Sequence, residues 1–181
     1  MNTKIILLVI VLSITSLVNA QTFTLSSKDI GGAATKKEEF NGFGCSGQNV
    51  SPQLSWNKAP AGTKSFAITI YDKDAPTGSG FWHWVVFDLP VTTTELKSNA
   101  GNIAANLLPI GAIQGKTDYG VPGYGGPCPP PGHGFHQYVI TVYALKADKL
   151  GLDANASAAV VGYYLNQYVI GKASLVMYYQ R

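Results

Sequence analysis

All three histidines fall in two places, each with carboxylate or hydroxyl side chains close by in sequence. His83 lies in "YDKDAPTGSGFWHWVVFDLP" (71–90), where Asp72, Asp74 and Pro76 precede it across a glycine-containing turn. His133 and His136 close "TDYGVPGYGGPCPPPGHGFH" (117–136), just before Tyr138. A carboxylate bonded to one ring nitrogen of a histidine fixes its tautomer and favours the charged ring, which suits holding an anion. Asp72 is the carboxylate expected to face a histidine. Asp74 can turn its side chain back onto nearby backbone N–H groups and hold the turn, whose φ Pro76 fixes. Taken alone, His83 reads equally as a hydrogen-bonded core residue. Its company at strand-to-loop junctions, where scaffolds commonly display binding groups, turns the reading towards a site.

Other chemistries fit less well. His83, His136 and Asp72 could supply three metal ligands with water as the fourth, but no helical HExxH pattern accompanies them. A Ser-His-Asp hydrolase would want a GxSxG turn, and Ser79 in "TGSG" has only turn chemistry to recommend it.

The elements that must position these residues are mostly strands. "SFAITIYD" (65–72) alternates apolar with smaller or polar residues, while "FWHWVVFDLP" (81–90) and "HQYVITVYAL" (136–145) are rich in β-branched and aromatic residues. "TFTLSS" (22–27), "QLSW" (53–56) and "ASLVMYYQR" (173–181) add shorter or terminal strands, and "TTTELKS" suggests a turn. "NASAAVVGYYLNQYVIG" (155–171) is the good helical window, with Asn155 or Ser157 to cap it and Gly171 to end it. An antiparallel, mainly β domain with one or two short helices follows. The stretch 117–136 holds six glycines and five prolines. Loops of that length are usually functional or disordered, and its prolines and aromatics favour an ordered, functional one.

Residues 1–20 read as a secretory signal peptide: Lys4, an uncharged run from Ile5 to Val18, then Val18-Asn19-Ala20 as the cleavage signal before Gln21. The run is short for a membrane span, so no stable membrane insertion is expected after processing. Residues 21–181 suit a single domain. The whole chain carries a formal charge of +3, and its basic residues are scattered, which gives no footing for nucleic acid. Cys45 and Cys128 are its two cysteines, and in an exported protein they most simply form one disulfide, with two free thiols as the alternative.

"YDKDAPTGSGFWHW" and "GYGGPCPPPGHGFHQYVITVYAL" resemble the two signature regions of the phosphatidylethanolamine-binding proteins, in particular the bacterial branch described as Raf-kinase-inhibitor-like. The resemblance runs from about Phe40 to the end, through "FGCSGQNVSPQLSWNKAPAGTKSFAITIYDKDAP", "LPIGAIQGKTDYGVPGYGGPCPP" and "ASAAVVGYYL". It implies an antiparallel β-sandwich, a large central sheet on a smaller one, with a small anion pocket at one end. Asp72, Asp74, Pro76, Trp82, His83, Pro129, His136 and Tyr138 are the residues it assigns to that pocket. The implied ligand is phosphate, a carboxylate or a phospholipid head group, held without metal or other cofactor. Lys73 stands where the family usually has proline, and the C-terminal helix that closes the pocket in animal members has no counterpart before Arg181. A non-enzymatic binding or regulatory protein, exported to a periplasm or beyond, is the function expected. An exported protease- or kinase-inhibitor-like module acting through its surface is the alternative, and a metal-dependent hydrolase a more distant one.

Overall fold

The computed structural model describes residues 22–181, so the signal peptide and its cleavage point lie outside the described residues. In chain order the strands are β1 (Thr24–Ser26), β2 (Asn41–Gly42), β3 (Cys45–Ser46), β4 (Leu54–Asn57), β5 (Ser65–Asp72), β6 (Phe81–Pro90), β7 (Glu95–Leu96), β8 (Ile113–Gln114) and β9 (His136–Leu145). Helix α1 (Ala158–Tyr168) and strand β10 (Val169–Tyr179) follow. A short 3₁₀ turn, Ile103–Ala105, lies between β7 and β8.

The large sheet runs β10-β9-β5-β6-β8, antiparallel at every pairing. The smaller sheet is β1-β4-β7, and β2 and β3 form a separate two-stranded ribbon. The central strands are buried on both faces, which explains their nearly unbroken apolar runs. One face packs on the smaller sheet through Trp56, Phe66, Ile68, Ile70, Trp84 and Ile140. The other packs on α1 through Ala67, Val85, Phe87, Leu145, Val161 and Leu165. Each large aliphatic residue fully buried this way contributes about 1.5–3 kcal/mol.

Helix α1 is shorter than its apolar window. The Ser157 hydroxyl caps its start, accepting from Val160 N–H. At the other end Val169 already has extended φ and ψ, and the chain enters β10 without a loop. Gly171 ends nothing. It lies within β10, where a Cβ would run into the Pro60 ring. "TTTELKS" likewise contains β7 rather than a turn alone.

Candidate functional site

The sheet register brings the predicted residues to one end. Asp72 closes β5 and pairs with both Tyr138 on β9 and Phe81 on β6. Asp72, His136 and Tyr138 share the face that, further along the strands, carries Ile70 and Ile140 into the inter-sheet core. The site is therefore the open end of that core, where polar side chains replace aliphatic ones.

His83 reaches the same face by a break in the ladder. Ile70 pairs with Trp84 and Tyr71 with Trp82, leaving His83 as the extra residue of a β-bulge. The bulge reverses the alternation. Trp84 points to the inter-sheet core, whereas Trp82 turns towards the α1 side and packs on Tyr71 at 4.5 Å. Trp82, expected in the pocket, therefore stands outside it, and Phe81 takes the aromatic position.

A cavity of about 170 Å³ occupies this end. Asp72, His83, His136 and Tyr138 supply its polar surface. Pro76, Pro129, Pro130, Phe81, Tyr119 and Phe43 supply most of its apolar walls. Of the residues assigned by resemblance, Asp72, Pro76, His83, Pro129, His136 and Tyr138 converge here, while Trp82 and Asp74 do not. Asp74 braces the turn instead. Its Oδ2 accepts from Gln137 N–H at 2.8 Å and its Oδ1 pairs with Lys73 Nζ at 2.7 Å. The Lys73 bond, then that from Gln137, holds the Asp74 carboxyl below the usual range. Lys73 is thus engaged beside the site and does not line it. His133 is exposed, its ring 5.8 Å from that of His136.

Asp72 is buried and doubly used. Its Oδ2 lies 2.8 Å from His136 Nδ1, and its Oδ1 accepts from Asp74 N–H at 2.9 Å. The pair fixes the His136 tautomer with Nδ1–H towards Asp72 and leaves Nε2 for the cavity. His83, only 3% exposed, directs Nδ1 at the carbonyls of Gly125 and Gly126. Burial lowers the His83 pKa, opposed in part by the Gly125 hydrogen bond and the Asp72 charge. The Tyr138 hydroxyl is fully buried beside the Asp72 carboxylate, without a hydrogen bond of good geometry to any group. Burial, reinforced by the Asp72 charge, pushes its pKa far up, so it remains an O–H donor. A buried, unpaired hydroxyl in a polar cavity is a standing demand for a ligand or water.

The long loop forms the front wall, and it is tied down. Asn49 accepts from Gly126 N–H at 2.8 Å and donates to Tyr124 O at 3.1 Å. Tyr119 donates to Gly126 O, and Asp118 accepts from Trp82 N–H. The Cys45–Cys128 disulfide, with Cα atoms 6.0 Å apart, fastens the loop to β3. At the end of the chain Arg181 donates to Gly44 O and accepts from Gly132 N–H, joining the same wall.

Tyr119, Phe43 and Phe81 escaped the sequence reading. Tyr119 lay inside the singled-out loop without a chemical pattern of its own. Phe43 has only its nearness to Cys45 as a signal. Ser79 is not among the cavity residues, and its carbonyl accepts from the Tyr71 hydroxyl. Among the described residues, no three or more His, Cys, Asp or Glu side chains group as metal ligands.

Comparison with known proteins agrees with this architecture. The family profile described as phosphatidylethanolamine-binding protein matches residues 31–180. UPF0098 protein YbcL of Escherichia coli K12 is 47% identical over 169 residues, covering 92% of each chain. UPF0098 protein YbhB of the same organism is 46% identical over 136 residues, 75% of this chain and 85% of that one. The crystal structure of E. coli YbcL, described as a new member of the mammalian PEBP family, superposes with a TM-score of 0.87, covering 89% of this chain and 99% of that one. With the two-sheet fold already in view, these likenesses show that the chain belongs to the phosphatidylethanolamine-binding protein family.

Proposed function

We propose that this chain is a non-enzymatic binding or regulatory protein whose cavity holds a small oxyanion: phosphate, a phosphorylated group, a carboxylate or a phospholipid head group. One observation carries the reading. The Asp72–His136 pair, His83 and the unpartnered Tyr138 hydroxyl converge on one cavity with rigid proline and aromatic walls. A hydrogen bond from the Tyr138 hydroxyl to an ionised oxygen would exceed one to a neutral ligand in strength, and His136 Nε2 adds a second only when the ring carries both protons. Both Asp72 oxygens are committed, one to His136 and one to the turn, so this carboxylate serves to hold the site together. An exported setting fits the apolar N-terminal segment and a disulfide that forms part of the pocket wall. Membership of this family favours a binding or regulatory role over the surface-inhibitor and hydrolase alternatives.

The test is a histidine-resolved NMR titration of chelator-treated protein with phosphate and phosphoethanolamine. Saturable shifts at His83 and His136, absent at exposed His133, are the expected result. Shifts that appear only once zinc is added would overturn it in favour of a metal site.

A further inference from the structure

His83 is arranged as an acceptor towards the cavity. Its Nδ1 lies 2.8 Å from Gly125 O and 3.1 Å from Gly126 O. Carbonyls only accept, so Nδ1 carries a proton, and in the neutral ring Nε2 holds a lone pair. Nε2 is the nitrogen left on the cavity side. The fall in its pKa through burial keeps the ring neutral near pH 7. Four other titratable groups surround it: Asp72 from β5, Asp118 and Tyr119 from the front loop, and Tyr138 from β9. His136 stands beyond Tyr138, its Nδ1–H committed to Asp72. Burial pushes both tyrosines up, so neither ionises near neutral pH. A fully deprotonated oxyanion would meet a lone pair at His83 and the Asp72 carboxylate on the same wall.

Resting on the anion-pocket reading above, we propose that the cavity selects oxyanions that carry a proton of their own: inorganic phosphate or a phosphomonoester. The O–H of the ligand donates to His83 Nε2, while one of its remaining oxygens accepts from the Tyr138 hydroxyl. A phosphodiester or sulfate holds no proton near neutral pH and lacks that donor. His83 is then the residue that sets specificity, and it ranks phosphomonoesters above the diester of a phospholipid head group. A phosphomonoester loses its second proton near about pH 6, so above that value each binding event takes up one proton.

Isothermal titration calorimetry of the full oxidised protein decides this. The probes are phosphoethanolamine, glycerophosphoethanolamine and sulfate, each in two buffers of different ionisation enthalpy. Phosphoethanolamine should bind with uptake of one proton, its affinity falling about tenfold per pH unit above about pH 6. The diester and sulfate should bind at least about tenfold more weakly, the worth of one charge-assisted hydrogen bond. Sulfate also separates His83 from His136. If titration of His136 governed binding, sulfate would bind as well and show the same pH dependence. Equal binding of diester or sulfate, or binding without proton uptake, overturns the acceptor role of His83 and leaves the anion pocket standing. Failure of all three probes at every pH removes the pocket reading and this inference together.

Discussion

At the scale of single residues, Tyr138 and Asp72 separate binding from stability. The Tyr138 hydroxyl is buried without a partner, so Tyr138→Phe should leave the midpoint of thermal unfolding unchanged or slightly raised. The same change should weaken phosphate binding about fivefold to tenfold, the worth of one hydrogen bond, as read by calorimetry. Asp72→Asn should cost both properties. It takes the charge from a buried pair whose partner His136 is equally buried, and it loosens the turn that Asp72 Oδ1 holds at Asp74. A loss of about 3 kcal/mol in urea unfolding, together with more than about tenfold in affinity, is expected.

At the scale of elements, the bulge in β6 and the anchored front loop make the site. Their roles separate cleanly from that of α1, which packs on the far face of the sheet. Leu165→Ala should cost about 2–5 kcal/mol in chemical denaturation with no change in ligand affinity. Replacing Cys45 and Cys128 together by serine should do both. It should cost up to about 4 kcal/mol through the freed chain, and it should weaken binding because the wall at Cys128 and Pro129 is no longer fastened. The strands that carry the site were legible as runs: 65–72, 81–90 and 136–145 all form strands over those residues. So was the choice of Asp72 over Asp74 as the histidine's partner. The phase of β6 was not legible, because period-2 reasoning assumes an unbroken ladder and the bulge at His83 depends on its pairing with β5. The resemblance alone assigns Trp82 to the pocket; the structure turns it to the α1 side, and Phe81 lines the cavity with His83. The end of α1 was hidden for a related reason. Val169 and Ile170 suit either state, and pairing with β9 decides for strand.

For the molecule as a whole, stability should fall in two stages as pH is lowered. His83 is held below its ordinary value near 6.5 in the folded state, so below that pH the unfolded chain binds a proton that the native one refuses. Stability is therefore lost from about pH 6.5 downward. Asp29, Glu39 and Asp74 are held below their ordinary values. Their stabilisation is complete above about pH 5 and is lost as the pH falls through their folded values. Asp88, raised by burial, works in the opposite sense and softens the second stage. Thermal melts from pH 8 to pH 3 should show a first decline near about pH 6, absent in His83→Gln, and a steeper one below about pH 4. A flat profile between pH 7 and pH 5 would contradict a neutral buried His83.

The same bridge that fastens the wall also sets an order in time. Cys128 follows Cys45 by 83 residues, and chains are made from the amino end. The five-stranded sheet can gather Asp72, His136 and His83 by backbone pairing alone, whatever the state of the thiols. Before an oxidant joins the two sulfurs, the front wall rests on hydrogen bonds alone, those of Asn49, Tyr119 and Asp118. Oxidation then adds the one covalent clasp between this loop and the first third of the chain.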